Sequence, residues 1–73
     1  MEPEMIAVES SNLQAIGYDP DTSELYVDFL SGSRYKYLDV PEDVFEAFQV
    51  ADSKGKFLHQ EIKLPGYEYE RIW

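Results

Sequence analysis

Ser23-Glu24-Leu25-Tyr26-Val27-Asp28-Phe29-Leu30, followed by Ser31-Gly32-Ser33 and then Arg34-Tyr35-Lys36-Tyr37-Leu38, is the stretch on which the fold turns. Leu25, Val27 and Phe29 point one way, while Glu24, Tyr26 and Asp28 point the other. Alternation of this kind marks a half-buried antiparallel strand. Ser31-Gly32-Ser33 makes a tight hairpin connection, with Gly32 free to take a positive φ. On the returning strand Tyr35 and Tyr37 share one face, and Arg34, Lys36 and Leu38 share the other. The basic residues then fall beside Asp28 and Glu24, and each cross-strand pair is worth ~0.2–1 kcal/mol.

Upstream, Leu13 to Tyr18 reads as another strand, with Gly17 marking a bulge or a close backbone approach. The turn Asp19-Pro20-Asp21-Thr22 joins it to the hairpin, since Pro20 fixes φ and the aspartates bond local backbone. Met5 to Val8 has the makings of a short strand, but residues 1–7 are expected to fray. Downstream, Pro41 opens a helix with Glu42 and Asp43 in its first turn, where the helix dipole favours acids. Val44, Phe45, Phe48 and Ala51 form its apolar stripe, which leaves Val50 off the stripe. Asp52 and Ser53 are cap formers, so a second helix begins there. Phe57, Leu58 and Ile62 give that helix a buried side, and Pro65-Gly66 ends it. From Tyr67 to Trp73 aromatic and charged residues alternate, as in an edge strand or an extended arm. The expected architecture is one α+β domain over 1–73. It has a three-stranded antiparallel meander, two short helices packed on one face and an extended C-terminal tail.

Composition narrows the function classes. With 73 residues there is room for one small domain. There is no cysteine, hence no disulfide, thiolate nucleophile or cysteine-ligated metal. No apolar run approaches the ~20 residues of a membrane span. The start, Met1-Glu2-Pro3-Glu4, lacks the basic and apolar regions of a signal peptide. A soluble, cytoplasmic monomer that neither sits in a membrane nor holds a cofactor or metal is therefore expected. The net charge is −9, and no Lys or Arg precedes Arg34. Such a balance opposes unselective binding to phosphate backbones. A local basic patch forms only if Arg34, Lys36, Lys54 and Lys56 converge.

The search for catalytic chemistry yields little. His59 is the single histidine and has no Ser or Cys motif beside it. Asp19-x-Asp21-x-Ser23 opens like a calcium loop but has Glu24 where glycine belongs and Leu30 where glutamate belongs. Gly55-Lys56 lacks the rest of a phosphate loop. The chain reads as non-catalytic. The tyrosines stand out: there are six, including Tyr35-Lys36-Tyr37 and Tyr67-Glu68-Tyr69. Alternate aromatics with basic neighbours can stack single-stranded nucleic acid. The alternation favours the other arrangement, in which Tyr35 and Tyr37 lie under the helices and Arg34 and Lys36 lie outside.

The chain resembles the KTSC domain, a module named after the C-terminus of some lysyl-tRNA synthetases and also found as a free-standing bacterial protein. The likeness runs from about Val8 to Ile72. It rests on Ser10-Ser11, Gly17-Tyr18-Asp19, and Leu25-x-Val27-x-Phe29 followed by Ser31-Gly32. It continues through Tyr35-x-Tyr37, Val40-Pro41 and Ala51-x-Ser53-x-Gly55-Lys56-Phe57, in that order and spacing. What the resemblance implies is a binding module for RNA or an RNA-associated protein. It points to Tyr35 and Tyr37 first, with Arg34 and Lys36 beside them, and to Ser53, Lys54 and Lys56 second. The other expectation is a protein-interaction domain that uses its sheet edge or its aromatic tail.

Overall fold

Five antiparallel strands in the order of the chain form the sheet, with two helical segments across one face. The computed structural model describes residues 2–73. The strands are β1 (Ile6–Ala7), β2 (Leu13–Asp19), β3 (Glu24–Phe29), β4 (Arg34–Tyr37) and β5 (Tyr69–Arg71). Helix α1 spans Glu42–Val50. Helix α2 begins at Lys54–Phe57 and widens into a π-helical turn, Leu58–Lys63. There the Leu64 N–H reaches back to the His59 carbonyl at 3.0 Å.

The pairing of β3 with β4 follows the alternation of the sequence. Leu25 stands opposite Tyr37 and Val27 opposite Tyr35, all on the helix side. Tyr26 faces Lys36 and Asp28 faces Arg34 on the outer side. Leu13, Ile16, Leu25, Val27 and Tyr37 from the sheet close a core with Val40, Phe48, Leu58 and Ile62. Phe48 stacks on Phe57 with centroids 5.0 Å apart, joining the two helices above the strands. Tyr18 stacks on Phe45 and donates its hydroxyl to the Val40 carbonyl at 2.5 Å, which pins the start of α1. Pro41 itself stays extended and precedes the first helical residue, Glu42. Val50, off the apolar stripe, is 81% exposed.

Two expectations are corrected, both at the ends of the chain. The meander has five strands, not three, because each terminus adds one. Of the edge strand and the extended arm left open for the tail, the edge strand is what forms: Tyr69–Arg71 pairs with β4 in the register Tyr35–Arg71, Lys36–Glu70 and Tyr37–Tyr69. Nor does the N-terminus fray over its described part, 2–7. Ile6 and Ala7 pair with Ile16 and Ala15. Residues before them cross the outer face of the sheet as a strap. Gly17 is the reason this crossing fits: a Cβ there would stand 2.9 Å from the Glu4 carbonyl oxygen and 2.6 Å from Met5 Sδ. Tyr26, on the side away from the helices, is consequently only 5% exposed. The bulge lies elsewhere in β2, between Leu13 and Ala15. At the hairpin, Gly32 takes φ 101° and donates to the Phe29 carbonyl at 2.9 Å.

The strap generates a prediction. Gly17→Val drives two methyl groups into the Glu4 backbone and lowers stability by about 1–3 kcal/mol, the usual cost of overpacking. Glu2→Gln, which removes only an ion pair, costs no more than ~1 kcal/mol. Urea midpoints measured for both variants check this, and equal midpoints would refute the close-approach role of Gly17.

Candidate functional site

The basic residues of β4 are taken up by acids beside them. Arg34 donates to both Asp28 oxygens, at 2.5 and 2.8 Å, and pairs with Glu2 of the strap. Its guanidinium also lies 4.5 Å from the centre of the Trp73 ring. Hydrogen bonding to Asp28 is the main reason its pKa is raised above the ordinary value. Lys36 pairs with Glu24 at 3.2 Å, and that bond likewise raises its pKa. Both cations belong to the face opposite the helices, where the cross-strand reading of the sequence placed them.

Ser53, Lys54 and Lys56 gather at the start of α2, against the Ser10–Asn12 turn. Ser53 caps the helix, its Oγ accepting the Lys56 N–H at 3.3 Å. Lys54 donates from Nζ to the Ala51 carbonyl at 2.5 Å. Ser10 Oγ accepts the Asn12 and Leu13 amides at 3.3 and 3.2 Å. A Cβ on Gly55 would stand 2.7 Å from Asn12 Oδ1, so glycine is what lets the turn dock on the helix. The serines and the glycine that carry the family resemblance here shape the backbone.

Tyr35 and Tyr37 belong to a third place. They line a groove of about 670 Å³ with Phe29, Tyr67, Tyr69 and Lys63. Ser31, Ser33 and Gly66 complete its wall. The elements explain the convergence. Alternation turns Tyr35 and Tyr37 to the helix side, and pairing with β5 sets Tyr69 beside both, with centroids 5.9 Å from each. Phe29 meets Tyr35 edge-on at 5.5 Å. The π-helical turn ends at Lys63, whose Nζ lies 5.6 Å from the centre of the Phe29 ring. Tyr37 is the floor, only 3% exposed. Burial, reinforced by Tyr35 and Tyr69 alongside, pushes its hydroxyl up to about 12. No carboxylate is among the described residues that line this groove, although the chain carries 15 acidic residues. Arg71 flanks it, donating from Nη2 to Ser33 Oγ at 3.2 Å.

The seven residues singled out from the sequence therefore fall into three groups in the fold: Tyr35 and Tyr37 in the groove, Arg34 and Lys36 on the outer face, and Ser53, Lys54 and Lys56 at the start of α2. Sequence reasoning missed Phe29, Lys63, Tyr67 and Tyr69 as groove residues. The repeated Tyr-x-Tyr pattern at 67–69 was the available signal. His59 is exposed on the second helical segment. Among the described residues no three His, Asp or Glu side chains come together as a metal-ligating cluster. No described helix is long and apolar enough to cross a membrane.

Comparison with known proteins adds kinship. The family model of the KTSC domain matches residues 9–69. An uncharacterised protein of Stutzerimonas stutzeri is 43% identical over 67 residues, which cover 92% of this chain and 94% of that one. A lysine–tRNA ligase of Nostoc is 38% identical over 68 residues, 93% of this chain but only 12% of the ligase. The crystal structure of a KTSC domain protein from Yersinia pestis superposes with a TM-score of 0.88 at 38% identity, covering 96% of this chain and 97% of that one.

Alkaline pH probes the groove floor. In the unfolded chain Tyr37 ionises near its ordinary 10.0, whereas in the fold it does so at about 12. The native state thus favours the neutral phenol. The stability this contributes is complete below pH 10 and is lost as pH rises toward about 12. Tyr26, raised chiefly by burial, adds in the same direction. In Tyr37→Phe the fall in urea midpoint between pH 9 and about 11.5 is expected to be shallower than in the parent. An identical fall in both would show that this hydroxyl is not responsible.

Proposed function

The chain belongs to the KTSC domain family, and on that footing we propose that it is a small non-catalytic binding module that grips an extended polypeptide along β5 and the aromatic groove. One observation carries the reading: the groove runs up to the edge of the sheet, where Tyr69 is 65% exposed. Such an edge offers main-chain hydrogen bonds, and the cleft beside it offers apolar burial to one side chain of the bound strand. The titratable groups lining the groove are tyrosines and Lys63. A nucleophile activated by an adjacent base is not among them.

RNA is the second reading. The lysine–tRNA ligase relative, whose name places it with tRNA, supports it, and so do rings on which a base can stack. Charge weighs against it. Arg34 and Lys36 are neutralised on the far face and Lys54 is held by backbone, which leaves Lys63 and Arg71 near the groove. Two phosphate contacts give a salt slope no steeper than about −1.4 for a single strand.

NMR titration at low salt separates the readings, using short extended peptides and short unpaired RNA on the labelled protein. Peptides are expected to shift the amides of Tyr35, Tyr69 and Arg71. Tyr69→Ala is expected to weaken them at least about tenfold, as loss of an aromatic anchor does. RNA that binds with a slope steeper than about −1.4 while peptides leave the groove untouched would overturn the proposal.

A further inference from the structure

The free edge of β5 has a definite chemistry. Its even-numbered residues bond inward to β4: the Ile72 N–H donates to the Arg34 carbonyl at 2.8 Å, and the Leu38 N–H donates to the Glu68 carbonyl at 2.8 Å. In an antiparallel ladder the intervening residues turn their amides and carbonyls the other way. Tyr69 and Arg71 thus present their main-chain groups outward, at the last strand of the sheet. All three residues of β5 are exposed. An edge is commonly blunted by brevity, charge, proline, a bulge or a covering element, and β5, three residues with Glu70 and Arg71, has the first two. β5 itself contains no proline, and its register with β4 is unbroken.

The two faces flanking this edge differ sharply. Tyr69 and Arg71 lie on the groove side, with Tyr35 and Tyr37 behind Tyr69. Glu68 and Glu70 lie on the outer side. The nearest cation there, Lys36, is already bonded to Glu24.

We propose that β5 accepts a basic, alternating polypeptide segment as a sixth strand, with lysines or arginines over Glu68 and Glu70 and an aromatic or large aliphatic side chain in the groove beside Tyr69. The inference rests on the binding-module reading above and adds the chemistry of the partner. Charge complementarity chooses the occupant. A −9 chain draws cationic segments toward it. A second copy of this chain pairing through the same edge sets the row Glu68–Glu70 beside its own equivalent, and like charges directly opposite each other destabilise a sheet. RNA cannot extend the main-chain ladder that Tyr69 and Arg71 offer, and it meets the two glutamates as like charges.

The test uses the intact protein and three blocked heptapeptides. The first alternates Lys with Phe or Val, the second replaces each Lys by Glu, and the third carries N-methyl groups on alternate amides of the first. The lysine peptide is expected to bind and to slow hydrogen exchange at the Tyr69 and Arg71 amides. The glutamate peptide is expected to bind several-fold to about tenfold more weakly, since two cross-strand charge pairs are reversed. N-methylation on the face that meets β5 is expected to abolish the exchange protection. The double variant Glu68→Lys/Glu70→Lys is expected to invert the preference. Glu68→Gln/Glu70→Gln, which sets no cation against Lys36, is expected to shrink it to the small remainder that the overall charge supplies.

Equal binding of the lysine and glutamate peptides, at the groove and with protected edge amides, overturns the basic partner while the polypeptide reading stands. Binding without edge protection overturns the sixth strand. Failure of every peptide overturns both, and so does groove binding by unpaired RNA alone. Concentration-dependent dimers that protect the Tyr69 and Arg71 amides without peptide would show that the occupant is a second copy.

Discussion

Cross-strand registry between β3 and β4 is the constraint on which the molecule rests. A shift of β4 by one residue against β3 would exchange the two faces of β4. Tyr35 and Tyr37 would leave Val27 and Leu25 beneath the helices, and Arg34 and Lys36 would enter the core in their place. Each face opposes that slip in its own way. On the inner side, Tyr37 fills the space beneath the helices with a ring whose hydroxyl stays neutral. On the outer side, Arg34 holds Asp28 with two hydrogen bonds and Lys36 holds Glu24. Burial supplies the bulk of the stabilisation, and the polar pairs select the register.

Arg34 does a second job because it sits where three segments meet. It binds β3 through Asp28, the strap through Glu2 and the last residue through the Trp73 ring and carbonyl. A domain of this length exposes much of its surface, so the outer face of its sheet needs cover that a third layer would otherwise give. The strap gives that cover over Tyr26, at the expense of a side chain at position 17. Arg34, at the start of the strand that carries Tyr35 and Tyr37, is thus committed to contacts that hold the fold together.

Much of this was legible in the residues. The strands from Leu13 to Leu38, both helices and the pairing of Arg34 and Lys36 with acids follow from alternation, caps and charge spacing. What escaped was long-range. Gly17 announced a close approach, but nothing local said that Glu4 and Met5 would make it. The alternation from Tyr67 to Trp73 announced a strand, but its partner lies more than thirty residues earlier, in β4. The groove depends on that pairing, since Tyr69 joins Tyr35 and Tyr37 only across it. Lys63 completes the groove only because the helix widens in its last turns. Short-range periodicity carries no information about such a widening. Ser53, Lys54 and Lys56 were pointed to as binding residues by the family resemblance alone. Local sequence marked Ser53 as a cap former, which it is, but could not say that Lys54 bonds the Ala51 carbonyl.

The stacking of Trp73 over Arg34 has an optical consequence. This is the chain's single indole, so ultraviolet emission above the tyrosine band comes from one spot, at the seam where strap, hairpin and closing strand meet. An indole half open to water and capped by a guanidinium reddens and changes intensity when that cap departs. The protein thus carries an intrinsic fluorophore that reports undocking of its extremities, and comparison with a probe of the interior separates that event from melting of the whole.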